Sequence, residues 1–189
     1  MFHLHLQNVL SLKRCQELID AARVRGFEPA TVNNYGKQQM LTHVRNNERL
    51  EWDNAPLARE LEGLLQGACA DAFPYLLDEQ QFASAASHLR MYRYVPGQYF
   101  KPHRDGHFID KEFETLVTVL FYLNDTDGGE TILMPTSYRY TDNWITIKPR
   151  AGDVLMFQHD IMHEGRPVAS GEKYVLRTDL FYRKPGLNF

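Results

Sequence analysis

The sequence predicts a mainly β protein, an antiparallel sandwich or barrel buttressed by two N-terminal helices. Three observations carry this. After about Gln80, short segments rich in Val, Ile, Thr, Tyr and Phe follow one another, separated by turn signals. No helical stretch lies between them, which disfavours the alternating strand and helix order of a parallel sheet. Helical periodicity is confined to the N-terminal part of the chain.

The elements follow in order. Behind a Ser11 N-cap, Leu12, Cys15, Leu18, Ile19 and Ala22 recur at helical spacing, with Gly26 just past the end. A second amphipathic helix begins near Asn54 with Pro56 in its first turn. It places Leu57, Leu61, Leu64 and Leu65 on one stripe and breaks around Phe73-Pro74. Residues 27–53 between them are polar and mixed. Strands are expected at 88–94, 98–103, 115–123, 130–134, 144–147, 153–158 and 173–182. Pro96-Gly97, Asp127-Gly128-Gly129, Ala151-Gly152 and Ser170-Gly171 mark turns. We read the 189 residues as a single domain, with 1–84 a helical support region and 85–184 the β core.

Composition narrows the functional classes. With 21 Lys plus Arg against 24 Asp plus Glu, the formal net charge is -3, so no broad field favours phosphate-rich partners and nucleic acid is not expected. Two cysteines, Cys15 and Cys69, are too few for a disulfide framework or a cysteine zinc cluster, and a reducing compartment fits. The N-terminus has no basic region followed by an unbroken apolar run, and the apolar runs elsewhere are too short to cross a bilayer. The expected location is therefore cytoplasmic, without a membrane partner. The oligomeric state is not legible.

Eight histidines invite inspection one by one. His103-Arg-Asp105 sets an imidazole and a carboxylate two residues apart, on one face if the segment is a strand. Alone, such a pair is more often an ordinary polar pair at a strand end. His163 lies 58 residues beyond Asp105, a separation that an antiparallel sheet can fold back upon itself. Two imidazoles and one carboxylate leave coordination positions open and suit non-haem Fe(II), with zinc the rival metal. His159 competes with His163, because a helix would face both toward one ion; the Val-Leu-Met-Phe run before them and Gly165-Arg-Pro167 after them disfavour that helix. His3, His5, His88 and His107 have no spaced partners and read as surface or packing residues.

The order Tyr94-x-Pro-Gly97-Gln-Tyr-x-x-Pro-His103-x-Asp105-Gly, then Leu-Phe-Tyr122-Leu-Asn-Asp, then Gly128-Gly-Glu-Thr131, then His163-Glu-Gly-x-Pro-Val-x-x-Gly171-x-Lys173-Tyr resembles one family. It is similar to the prolyl 4-hydroxylase-like branch of the 2-oxoglutarate- and Fe(II)-dependent dioxygenases. The resemblance covers about residues 85–183, with a weaker echo in Val44-Arg-Asn-Asn-Glu-Arg49. It implies a double-stranded β-helix, or jelly roll, with His103, Asp105 and His163 as iron ligands. Lys173 matches the basic residue that holds the distal carboxylate of 2-oxoglutarate, Tyr122 a phenol that shares it, and Tyr94 one lining the cosubstrate pocket. A dicarboxylate entering an apolar barrel has to meet a fixed cation.

Arg177 is the alternative anchor, since Lys173, Val175, Arg177 and Asp179 alternate onto one strand face; its ordinary reading is an ion pair with Asp179 or another carboxylate. Tyr94 and Tyr122 also read as core packing, and Gly128-Gly129 as a tight turn. The segment from Arg45 to Arg49 is either a solvated loop or a wall of the active-site mouth. The implied chemistry is oxidative decarboxylation of 2-oxoglutarate to succinate and CO2 coupled to hydroxylation, with O2 consumed and ascorbate a candidate reductant. The presence of Asp105 argues against halogenation. The substrate is a peptidyl proline, another protein side chain or a small molecule. Two other classes stay open: a cupin-like metal-binding module without turnover, and a zinc hydrolase with Glu164 as base.

Overall fold

The computed structural model describes residues 1–34, 37–135 and 141–186. The expected β class is what it shows. A nine-stranded antiparallel sheet runs in the order His3–Leu6, Val154–Gln158, Phe113–Tyr122, Lys173–Arg183, His88–Tyr94, Glu48–Asp53, Glu28–Pro29. Gln80–Ala85 adds to the far end of Lys173–Arg183 and carries Leu76–Leu77. A smaller sheet, ordered Ile145–Ile147, Thr131–Met134, Met162–Gly165, Phe100–His103, completes the double-stranded β-helix.

Two helices cover the large sheet. α1 (Leu12–Arg25) starts where the Ser11 hydroxyl accepts the Arg14 N–H at 3.1 Å, and α2 (Ala55–Cys69) where Asn54 Oδ1 accepts the Leu57 N–H at 3.1 Å. They bury Cys15, Leu18, Ile19 and Ala22, and Leu57, Ala58, Leu61 and Leu65. Leu64, expected on the buried stripe, is 38% exposed; the α2 face that packs on the sheet includes Ala58 instead. Among the described residues no helix is long and apolar enough to cross a membrane.

The large sheet is buried on both faces, so its central strands read as unbroken apolar runs. Period-two alternation divides them. Val117, Val119, Phe121, Val154, Met156, Tyr174, Leu176 and Leu180 pack toward the helices. Tyr92, Tyr94, Tyr122, Leu155, Phe157 and Val175 pack toward the small sheet with Leu133 and Ile147.

Two regions differ from expectation. Residues 27–53, read as polar and mixed, contribute Glu28–Pro29 and Glu48–Asp53 to the large sheet; their exposed faces hide the pattern, because only one side of an edge strand meets the core. The strand Met162–Gly165 has no apolar alternation in its Met-His-Glu-Gly sequence, yet it pairs with Thr131–Met134 on one side and Phe100–His103 on the other.

Candidate active site

The smaller sheet positions two imidazoles. His103, the last residue of its strand, stands in register with His163 on the neighbouring strand, and their ring centroids lie 4.2 Å apart. Asp105 follows beyond the strand end, where its N–H donates to the His159 carbonyl at 3.3 Å. Side-chain donor atoms of His103, Asp105 and His163 all fall within 4.8 Å of one another.

Each imidazole has a fixed tautomer. His103 Nδ1–H donates to the Lys101 carbonyl at 2.7 Å and His163 Nδ1–H to the Ile161 carbonyl at 3.0 Å. A carbonyl only accepts, so each Nε2 carries the lone pair. These Nε2 atoms sit 3.9 and 3.6 Å from the Asp105 carboxylate. Burial pushes His103 down to about 3 and lowers His163 as well, so both rings are neutral at pH 7.

The Asp105 side chain is 5% exposed. Burial alone would raise its pKa, but the Arg177 guanidinium overrides that and holds it well below the usual carboxylate range. Arg177 Nη1 donates to Oδ1, and the Thr118 hydroxyl donates to Oδ2 at 2.6 Å. Arg177 also pairs with Asp179 at 2.9 Å, which Arg90 joins from its other side at 2.9 Å. An ionised carboxylate beside two neutral imidazole nitrogens is a donor set that fits a ferrous ion and leaves positions open.

The same cavity reaches Lys173, which is 4% exposed, with Tyr94 in its wall. The ammonium donates to the Gly129 carbonyl at 2.6 Å and faces the Tyr94 and Tyr122 rings at 5.2 and 5.7 Å. Burial pulls its pKa down to about 8. Burial pushes Tyr94 up to about 12 and Tyr122 higher still, so both phenols stay protonated and can donate. Tyr122 now donates to Thr131 Oγ1 at 2.8 Å. The two glycines before Glu130 hold positive φ, and a Cβ at Gly129 would come within 3.1 Å of Lys173 Cδ, so the bare backbone is what lets the carbonyl meet the ammonium.

Other residues singled out in the sequence lie elsewhere. His159 is 0% exposed, with Nε2 3.5 Å from Asp179, and is not in the three-residue group. His5, His88 and His107 face Asp153, Asp53 and Asp160. Glu164 lines the cavity and pairs with Arg166 at 3.2 Å. Sequence reasoning missed Thr118. Its place two and four residues before Leu120 and Tyr122 puts it on their face of the strand, the one signal that could have found it.

Fold and site together define a class: a jelly-roll protein whose small sheet brings two histidines and an aspartate to one point, as in mononuclear non-haem iron oxygenases. The family model for the 2OG-Fe(II) oxygenase superfamily matches residues 89–178. A protein of Acanthamoeba polyphaga mimivirus described as "Putative prolyl 4-hydroxylase" is 26% identical over 201 residues, covering 95% of this chain and 73% of its own. The viral collagen prolyl hydroxylase of Paramecium Bursaria Chlorella virus-1, solved as a 2OG complex, superposes with a TM-score of 0.64 at 24% identity over 96% of both chains. The prolyl hydroxylase of Trichoplax adhaerens, solved with a hypoxia inducible factor peptide fragment, superposes with a TM-score of 0.70 at 17% identity, covering 95% of this chain and 83% of that one. These structures share its fold. The family model and the prolyl 4-hydroxylase relatives together support a 2OG-Fe(II) oxygenase that is prolyl 4-hydroxylase-like. They support a dioxygenase, and the 2OG-Fe(II) oxygenase family uses Fe(II), 2-oxoglutarate and O2.

Proposed function

We propose that the protein hydroxylates a carbon of its substrate while converting 2-oxoglutarate to succinate and CO2, with His103, Asp105 and His163 holding the iron. The observation that carries this reading is one cavity that joins three converging ligand atoms to a buried ammonium that, among the described residues, pairs with no carboxylate. Bound Fe(II) supplies the redox chemistry with O2. The protein's own groups do the rest. Lys173 receives the distal carboxylate of 2-oxoglutarate, and Tyr122 and Tyr94, kept protonated by burial, offer phenol donors beside it. Arg177 is engaged by Asp105 and Asp179, so in this reading it orients the carboxylate ligand and leaves the anchor role to Lys173.

The direct test is release of succinate and CO2 from 2-oxoglutarate with Fe(II) and ascorbate. Turnover in the wild type that disappears in His103→Ala supports the proposal. Absence of turnover across a broad substrate screen, together with no binding of 2-oxoglutarate to the metal-loaded protein, would sink it.

A further inference from the structure

A second depression, a groove of about 700 Å³ whose lining does not include Lys173, also opens onto His103 and Asp105. Among the described residues five arginines and three carboxylates line it, so it is positive in a chain whose formal net charge is -3. Most of that charge is already matched. Arg49 pairs with Glu51, Arg90 with Asp179 and Glu51, and Arg177 with Asp105 and Asp179. Arg104 is exposed at the rim and donates to the Asp160 carbonyl.

Arg45 is different. It is 5% exposed, and its guanidinium lies in an aromatic slot, with Cζ 4.2 Å from the Phe100 ring centroid and 5.0 Å from that of Tyr92. Its Nε donates to the neutral side chain of Asn47 at 3.0 Å, and Nη2 is buried without a partner. No carboxylate among the described residues forms an ion pair with it. A desolvated guanidinium with an unused N–H is costly, and the cost is recovered only when an anion completes it. With Nε taken by Asn47, the Nη edge is the part of the fork left for a planar, two-oxygen acceptor.

We propose that the primary substrate carries a carboxylate and that Arg45 receives it. This rests on the oxygenase reading above and names its substrate class. The place fits the chemistry. Arg45 and His103 both lie against the Phe100 ring, at 4.2 and 3.5 Å from its centroid, and both line the groove, so a carboxylate bound at Arg45 lies in the same depression that reaches the triad. Arg45 does not line the Lys173 cavity, so the two anions have separate cations. The carboxylate can belong to a free acid such as an amino acid, or to an Asp or Glu side chain of a peptide.

The test is calorimetric binding to anaerobic protein loaded with Mn(II) and 2-oxoglutarate. One arm uses free amino acids against their carboxamides; the other uses terminally blocked peptides containing Asp or Glu against the same peptides with Asn or Gln. The expected result is binding of a carboxylate probe in one arm, at least tenfold weaker binding of its amide, and loss of that discrimination in Arg45→Met with partial recovery in Arg45→Lys. The arm that discriminates identifies the source of the carboxylate. The proposal is overturned by amides that bind as well as acids, by discrimination that survives Arg45→Met, or by no carboxylate probe binding to protein that does bind 2-oxoglutarate. Should Arg45→Met not fold, the acid-to-amide ratio of the wild type still decides. Failure of 2-oxoglutarate itself to bind strikes the oxygenase reading instead, and the same probes are then titrated into the Mn(II) protein alone.

Discussion

Replacing Lys173 by Met separates an anchoring ammonium from a structural one. Burial lowers this group from 10.5 to about 8. At about 1.36 kcal/mol per unit, holding the charge in the buried cavity costs on the order of 3 kcal/mol. The bond to the Gly129 carbonyl returns about 1.5–3 kcal/mol of that. The two contributions nearly cancel, so Lys173→Met, similar in length and uncharged, should leave the stability of the cofactor-free protein within about 1 kcal/mol of wild type. Binding of 2-oxoglutarate should suffer far more, because the variant leaves a buried carboxylate without a cation, a loss of about 2–5 kcal/mol, or thirtyfold and upward in Kd. Denaturant unfolding of the free protein and anaerobic calorimetry with 2-oxoglutarate measure the two quantities. A variant that loses several kcal/mol of stability while keeping its 2-oxoglutarate affinity within threefold would show that Lys173 is a packing residue, and the anchor would have to be sought elsewhere.

Three other outcomes are expected. Since the folded pKa of Lys173 lies below its unfolded value, the unfolded chain binds more protons between about pH 8 and 10.5; the burial penalty is therefore fully present below pH 8 and fades as pH rises through that window. Wild-type stability should gain relative to Lys173→Met there, while 2-oxoglutarate affinity falls by up to about tenfold per unit above pH 8, both read from titrations at stepped pH. Thr118→Val removes the hydroxyl donor from Asp105 Oδ2 with little change of shape and should weaken Fe(II) binding by about 10–100-fold in a metal titration; an unchanged affinity would make that hydroxyl a bystander. His159→Ala should cost about 2–5 kcal/mol of stability, being fully buried, yet keep Fe(II) affinity within a few-fold, whereas His103→Ala should do the reverse; the opposite pattern would make His159 a ligand.

What could be read from the sequence follows the physics of each residue's neighbours. The helices announce themselves by apolar periodicity, and the long strands by unbroken runs of β-branched and aromatic residues buried on both faces, as in Val-Thr-Val-Leu-Phe-Tyr over residues 117–122. Met162–Gly165 does not, since His163 turns toward the site rather than an apolar layer, and a strand of four residues has no second period to reveal it. The convergence of His103, Asp105 and His163 is suggested by the His-x-Asp spacing on one strand face together with a distant histidine, and motif order reinforces it. Of the contacts that tune Asp105, the ion pair of Arg177 with Asp179 or another carboxylate is among the readings the sequence allows, whereas the Thr118 hydroxyl is not. Thr118 and Arg177 lie 13 and 72 residues away along the chain, and only sheet register carries them to the carboxylate. For Arg45 to Arg49 the sequence leaves a solvated loop and a wall of the active-site mouth both open, because the burial of Arg45 depends on Phe100, which joins it through an isolated bridge.

The strand Lys173–Arg183 shows how one segment serves both stability and chemistry. Its outward residues Tyr174, Leu176 and Leu180 belong to the core beneath the helices, and its inward residues Lys173, Arg177 and Asp179 are ionisable and buried. Buried charges of this kind add little net stability even when paired. The strand therefore depends on its other face, where α1 and α2 supply apolar contact, and on two long antiparallel ladders to Phe113–Tyr122 and His88–Tyr94. Those ladders fix the spacing between Lys173 and Arg177 at one side of the barrel. In that spacing Val175 separates the cation that stands before a carbonyl from the one that grips Asp105, so under the proposed function the dicarboxylate and the metal are addressed by two residues of the same rigid element. A loop could carry the same side chains, but not hold them at so constant a distance.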